Sequence, residues 1–230
     1  MRTSMSYAKD LMTFIKNSPS PYHGVIEGKK LLDRVGFTEL KMKDEWQMQR
    51  GGKYYIIPYS STIIAFTVGE LVDDMGYKII LSHTDSPSFK IKPISEIKTE
   101  NYITLNTEVY GGPIYYTWLD RPLSLAGKVA LKSDNLIKPT IKYMDFKKSV
   151  LTIPSLAIHM NRDVNEGVKF NPQKDTLPLI GQINDVLEKD NYLVSHIAKE
   201  LDVEVDDILD FELFLYLIGE GNIIGINDEF

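Results

Sequence analysis

The spacing of apolar and polar residues predicts two helices at the start of the chain. Apolar positions at helical spacing indicate the first helix, from residue 4 onward: Tyr7, Leu11, Phe14 and Ile15. Pro19 and Pro21 end it, and a second helix is predicted to begin at Pro21, where a missing backbone N–H costs nothing. We expect this helix to stop at Gly36, because glycine readily adopts the left-handed conformation that follows a helix C-terminus.

The pattern then changes to strands. Three strands are predicted from β-branched and aromatic residues, at Tyr54–Pro58, Thr62–Val68 and Tyr77–Ser82. The runs Ile63–Phe66 and Ile79–Leu81 are continuously apolar, as in strands that a helix layer covers on both sheet faces. Residues 1–92 are therefore interpreted as the first part of an α/β domain.

A β-rich insertion is predicted over residues 93–207, where short β-like segments alternate with turn residues. Near its end a helix is predicted at Asp190–Leu201, with Leu193, Ile197 and Leu201 on one stripe. Phe211–Ile218 then has the composition of a buried strand, so residues 208–230 are interpreted as a return to the α/β domain.

Composition and charge narrow the function classes. With 26 Lys and Arg against 32 Asp and Glu, the net charge of −6 argues against nucleic acid as a partner. The chain has no cysteine, which excludes disulfide scaffolds, cysteine nucleophiles and iron–sulfur clusters. Apolar runs are too short to cross a bilayer, and the N-terminus does not resemble a signal peptide. A cytoplasmic location without a membrane partner is therefore expected.

Any metal site must use His, Asp and Glu, and His83 is the sharpest candidate ligand. It follows a predicted buried strand, and open α/β sheets bind ligands beyond the carboxyl ends of their strands. Asp85, two residues later, points to the same side in an extended chain and could orient the imidazole or bind metal itself. From these residues by themselves, a turn in which Asp85 accepts a backbone hydrogen bond is at least as good an interpretation.

The other three histidines have simpler interpretations. His23 lies in the first turn of a predicted helix, where capping or packing suffices. His196 lies on a helix face, where partial burial needs no function. For His159, in the segment Leu156–Arg162, the local pattern favours a half-buried side chain that donates to a carbonyl group.

An ordered set of short motifs nevertheless resembles the aspartyl aminopeptidase family, the zinc metallo-aminopeptidases of the aminopeptidase I type. In chain order, the matching segments are Ser18–His23, Gly51–Tyr55, Ile63–Phe66, His83–Pro87, Tyr110–Pro113, Thr117–Arg121 and Leu156–His159. The resemblance implies a partial α/β/α aminopeptidase domain that is interrupted by a β-rich domain for dimerisation and for covering the site.

The resemblance also implies roles for three residues. His83 would be a metal ligand in a two-metal site, usually of zinc, and Asp85 would be the catalytic-site carboxylate that orients it. His159 would bind substrate in the active site of a partner subunit, which makes a homo-oligomer the expected state. The implied reaction is hydrolysis of an N-terminal residue, in much of the family an acidic one, from a peptide substrate.

The sequence departs from the family beyond the segment Asn227–Phe230. The resemblance implies a later Arg-x-Asp-Asn motif, paired glutamates and further Asp and His ligands, none of which these 230 residues contain. Three hypotheses remain open: a truncated aminopeptidase, a non-catalytic homologue that serves as a dimerisation or assembly module, and a site that a second chain completes. One histidine ligand cannot by itself hold a catalytic zinc, which needs about three protein ligands.

Overall fold

The computed structural model describes residues 4–70, 76–135, 137–183 and 191–229. The chain divides into two compact units. Unit 1 comprises Met1–Ser86 with Glu220–Phe230, and unit 2 comprises Pro87–Gly219. The units contain both helices and sheets, so the predicted α/β class is confirmed.

Two helices open unit 1. Helix α1 spans Ser4–Lys16 and buries none of its residues, whereas helix α2 spans Pro21–Arg34 and buries Pro21, Tyr22 and Val25. The hydroxyl of Ser20 accepts a hydrogen bond from the backbone N–H of His23, which caps the N-terminus of α2. Both helices and the start of α2 at Pro21 are thus as the sequence predicts.

A three-stranded sheet completes the regular structure of unit 1. Its strands are β1 (Thr38–Glu39), β2 (Lys53–Tyr59) and β3 (Thr62–Thr67), in the order β1-β2-β3. β1 is parallel to β2, and β2 is antiparallel to β3. Tyr55 of β2 is fully buried, and its hydroxyl donates to Asp33 of α2 at 2.7 Å. This bond ties the sheet to the helix beside it.

The predicted strand Tyr77–Ser82 is wrong. The chain is irregular there, and the side chains of Tyr77, Ile80 and Leu81 are 96%, 98% and 89% exposed. An apolar run makes a segment suitable for a strand that is buried on both faces of a sheet. A strand forms, however, only where a neighbouring strand completes its backbone hydrogen bonds. Within the described residues, the sheet order contains no strand that pairs with this segment.

Unit 2 is built on a six-stranded sheet with the order β7-β6-β9-β4-β5-β8. Its strands are β4 (Ser88–Thr99), β5 (Tyr102–Tyr110), β6 (Leu123–Leu131), β7 (Thr140–Asp145), β8 (Leu179–Gln182) and β9 (Ile208–Leu217). Every pairing is antiparallel. The last strand, β9, inserts between β6 and β4, so the centre of the sheet forms from segments far apart in sequence.

The core of unit 2 lies on one face of this sheet. Phe89, Leu125 and Leu213 are fully buried there. Helix α3, Tyr192–Leu201, covers the core with Leu193 and Ile197, which confirms the predicted apolar stripe. Two short 3-10 helices, Tyr115–Trp118 and Val205–Asp207, complete the unit.

The boundaries of the units differ from those expected from the sequence. The expected boundaries follow residues 92 and 207, whereas the chain passes from one unit to the other after Ser86 and after Gly219. Phe211–Ile218 is largely a strand, as predicted, but β9 pairs with β6 over Leu123–Leu131 and so belongs to the sheet of unit 2. Its buried, nonpolar composition fits either sheet, and only the long-range pairing decides between them.

Candidate functional site

His83 and Asp85 form a contact pair in unit 1. His83 Nδ1 lies 2.7 Å from the backbone oxygen of Asp85 and 3.0 Å from its Oδ1. Two acceptors at Nδ1 favour the tautomer that carries its proton there, which leaves the Nε2 lone pair available. Within the described residues Nε2 has no hydrogen-bond partner, and the His83 side chain is 78% exposed. The pair therefore has the chemistry of a metal-binding histidine with its orienting carboxylate.

The segment that carries this pair is held by its backbone neighbours. Thr84 donates its hydroxyl proton to the backbone oxygen of Ser61, between β2 and β3, at 2.6 Å. The backbone oxygen of Thr84 also lies 3.5 Å from the position that a Cβ on Gly24 would take. The β2–β3 turn thus holds residue 84, between the two members of the pair, by a hydrogen bond, and α2 lies beside it.

His83 could serve as one zinc ligand, but the described residues do not form a complete zinc centre. A neutral imidazole is a suitable zinc ligand, and the carboxylate at Nδ1 fixes its tautomer and ring orientation. Among the residues that the structure describes, however, no group of three or more His, Asp or Glu side chains could hold a metal ion. The described residues by themselves therefore form no metal centre.

His159 belongs to unit 2 and lies in a long loop. We call residues 154–167 the His159 loop; apart from turns it has no regular structure. His159 is exposed, and the backbone bond from Met160 N–H to the Ala157 oxygen, 2.8 Å long, closes a turn around it. The expectation of a half-buried histidine is therefore wrong, because the turn directs the chain away from the core. Ile158 and Met160 beside it are 51% and 74% exposed.

The remaining two histidines have local partners. His23 Nδ1 lies 2.7 Å from the Ser20 hydroxyl at the start of α2, in agreement with the predicted capping role. His196 is exposed, and its Nδ1 lies 2.9 Å from the backbone oxygen of Tyr192 one turn earlier in α3. Within the described part of the chain, neither histidine belongs to a group of three or more His, Asp or Glu side chains that could hold a metal ion.

An open groove of about 410 Å³ lies at the base of the His159 loop. It is lined by Asp120–Pro122, Ser149–Thr152 and Leu179–Gln182. His159 is not among its lining residues. The groove marks the point at which the chain leaves the sheet of unit 2 to form the loop.

Comparison with known proteins decides the family. A sequence model described as aminopeptidase I zinc metalloprotease (M18) matches residues 14–230, nearly the whole chain. The chain belongs to the aminopeptidase I zinc metalloprotease family. The family resemblance of the short motifs is thereby confirmed.

Two curated relatives show how much of an M18 protein the chain represents. It is 52% identical to a probable M18 family aminopeptidase 2 of Clostridium acetobutylicum, over 100% of this chain and 54% of the relative. It is 36% identical to a protein of the same name from Pseudomonas entomophila, over 96% of this chain and 52% of the relative. The chain thus spans about half the length of these relatives.

Solved structures agree with the M18 assignment. The structure of Chaetomium thermophilum mApe1 superposes with a TM-score of 0.82 at 29% identity, over 97% of this chain and 53% of that one. The Saccharomyces cerevisiae mApe1 dodecamer superposes with a TM-score of 0.75 at 27% identity, over 96% of this chain and 50% of that one.

Within residues 4–70, 76–135, 137–183 and 191–229, no helix is both long and apolar enough to cross a membrane.

Proposed function

We propose that this chain supplies part of the active site of a zinc-dependent aminopeptidase, with His83 as a zinc ligand and Asp85 as its orienting carboxylate. The observation that carries the proposal is the contact of Nδ1 with Asp85, at 3.0 Å to Oδ1. This contact holds the proton on Nδ1 and leaves Nε2 for the metal. Membership of a zinc metalloprotease family supports zinc as that metal. When bound, zinc supplies Lewis acidity and activates water for peptide hydrolysis.

The remaining ligands come, in this proposal, from polypeptide outside residues 1–230. The described residues hold no group of three or more ligands, and the chain matches 54% of its Clostridium acetobutylicum relative. The exposed apolar run Ile79–Leu81, which Ser82 separates from His83, supports a further contact surface in unit 1. Its three residues are 74%, 98% and 89% exposed. Single exposed apolar residues are common at protein surfaces, but a contiguous exposed run indicates a contact surface.

The substrate and the assembly follow from the same proposal. Unit 2 serves as the dimerisation and covering domain, and its exposed His159 contacts the peptide bound at the site of a neighbouring subunit. The substrate is a peptide whose first residue is acidic, and the protein is a homo-oligomer. The dodecameric state of Saccharomyces cerevisiae mApe1, a structural neighbour, supports the oligomer.

A complementation assay tests this function. The 230-residue chain is mixed with the part of the Clostridium acetobutylicum relative that it does not match, in the presence of zinc. Release of the first residue is measured on peptides that begin with Asp, Glu or Leu. We expect zinc-dependent hydrolysis that is fastest on the acidic peptides and absent with either polypeptide separately. A zinc-loaded assembly that hydrolyses none of these peptides would contradict the proposal.

A non-catalytic assembly module is the second candidate function. The observation in its favour is that unit 2 has its own buried core and sheet, while the described residues hold no group of three or more side chains that could bind a metal ion. This function predicts a dimer of the 230-residue chain without metal, measured by light scattering. A monomer at micromolar concentration would rule it out.

A further inference from the structure

The His159 loop has few attachments to the rest of unit 2. Most of its residues are exposed, and its described backbone hydrogen bonds after Ser155 are local, such as Val164 N–H to Asn161 oxygen at 3.2 Å. At the far end, Tyr116 holds the chain, because its hydroxyl accepts from Val168 N–H at 3.2 Å. The position of His159 therefore depends on what holds the near end of the loop.

Asp120 holds that near end with both of its carboxylate oxygens. Oδ1 accepts from the backbone N–H of Ser155 at 2.9 Å, and Oδ2 accepts from the Ser155 hydroxyl. The backbone N–H of Asp120 donates to the oxygen of Ile153 at 2.9 Å. Asp120 thus binds the chain on both sides of Pro154, at Ile153 and at Ser155, and Ser155 lies four positions before His159.

The backbone at Asp120 is specialised for this contact. Its φ of +54° lies in the left-handed region, which Asp and Asn tolerate better than most residues do. Trp118 and Leu123 on either side are buried in the core, so the carboxylate is attached to a fixed part of the sheet. The hydrogen bonds from the Ser155 hydroxyl and amide lower the pKa of the Asp120 carboxyl, which keeps it ionised and accepting near neutral pH.

We infer that Asp120 is a positioning residue, which fixes the near end of the His159 loop and thereby the place where the imidazole is presented. What His159 does there rests on the proposed function, in which it contacts the substrate. The attachment itself does not depend on zinc or on catalysis. Asp120 and Ser155 are 35 positions apart in the sequence, so no local motif indicates the pair.

Hydrogen exchange and histidine NMR test the inference on the 230-residue chain. Asp120→Gly removes both acceptors while keeping a residue that tolerates positive φ. We expect amide exchange in residues 155–160 to become about tenfold faster, and the His159 ring signals to shift, because the loop loses its attachment. Asp120→Asn should give an intermediate result, since its amide oxygen can still accept from Ser155 N–H.

Two variants serve as matched controls. Asp228→Gly makes the same change at another aspartate with positive φ, +57°, in unit 1, and it should leave residues 155–160 unchanged. Tyr116→Phe removes the far attachment and should speed exchange near Val168 rather than near Ser155.

Unchanged exchange at residues 155–160 in Asp120→Gly would overturn the inference, as would an equal effect of Asp228→Gly. If Asp120→Gly does not fold, Asp120→Asn and Ser155→Ala decide the matter: wild-type exchange and unshifted His159 signals in both would refute it. Faster exchange in Asp120→Gly, together with a zinc-loaded wild-type assembly that hydrolyses none of the test peptides, would instead leave the positioning role standing and refute the proposed function.

Discussion

Gly127 is the position where the fold of unit 2 makes its strictest demand on the sequence. It pairs with Leu213 where β6 runs beside β9. A Cβ at residue 127 would lie 2.0 Å from the backbone oxygen of Glu212 and 3.0 Å from the Cα of Leu213. Both atoms belong to the backbone of the neighbouring strand, so no side-chain rotation relieves the overlap. Gly127→Ala must therefore push β6 and β9 apart.

The magnitude of the effect is the sum of three contributions. Overpacking a dense interior costs about 1–3 kcal/mol. Each ladder hydrogen bond that lengthens or breaks costs about 1 kcal/mol more. Alanine restricts the unfolded chain, which offsets about 0.4–1 kcal/mol. We expect a net loss of about 2–4 kcal/mol in the free energy of unfolding of unit 2. With a urea dependence of about 2 kcal/mol per molar, the midpoint falls by about 1–2 M.

Tryptophan fluorescence in urea measures this effect. The chain has 2 tryptophans. Trp118 lies in the core of unit 2 and Trp46 lies in unit 1, so a Trp46→Phe background leaves a reporter of unit 2. Gly112→Ala is the matched control, because a Cβ there has no heavy atom within 4 Å. A midpoint for Gly127→Ala equal to that of Gly112→Ala would refute the register of β6 on β9.

Three further predictions concern unit 1. Gly28→Ala in α2 should stabilise the unit by about 0.5–1 kcal/mol in thermal unfolding, because alanine favours helix and its Cβ meets Ile63 at 3.9 Å, an ordinary contact. Tyr55→Phe should destabilise it by about 1–2 kcal/mol in urea, because the buried hydroxyl bonds Asp33 at 2.7 Å and Lys29 at 2.5 Å. The hydrogen bond from Lys29 lowers the pKa of Glu39, so its contribution is present above the unfolded-state pKa and is lost as the pH falls through the folded-state pKa. Unfolding midpoints between pH 6 and pH 3 should therefore fall less steeply in Glu39→Gln than in the wild type; parallel curves would contradict this.

Local signals in the sequence predict the helices well. Pro21 marks the start of α2 because its missing N–H has no partner to lose, and Ser20 before it provides the capping hydroxyl. Leu193 and Ile197, four positions apart, place one face of α3 on the core. These features depend on residues within a turn or two of each other, so the local sequence pattern is sufficient to predict them.

Long-range pairing explains where the predictions are wrong. Ile79–Leu81 has the composition of a buried strand, but composition does not say whether a neighbouring strand is there. β9 has the same kind of composition and becomes a strand because β6 and β4 flank it. A single sequence therefore predicts the suitability of a segment for burial, and not its partner.

In the candidate site as well, a contact between neighbouring residues is predictable and a contact between distant residues is not. The contact of His83 with Asp85 is predictable, because two positions along an extended chain bring side chains to the same side. The attachment of Ser155 to Asp120 is not, because it joins residues 35 positions apart through the fold of unit 2. The exposure of His159 is not predictable either, since the apolar residues around it suggest burial and are themselves exposed.

Loss of activity on replacing His83 tests the central claim most directly. His83→Ala and His196→Ala are compared in the zinc-loaded complemented assembly, by metal content and by release of an acidic N-terminal residue. The proposed function predicts that His196→Ala keeps wild-type activity, whereas His83→Ala binds less zinc and loses about 100-fold or more in activity, because a ligand is missing. Equal zinc content and equal activity of the two variants would contradict the assignment of His83 as a zinc ligand.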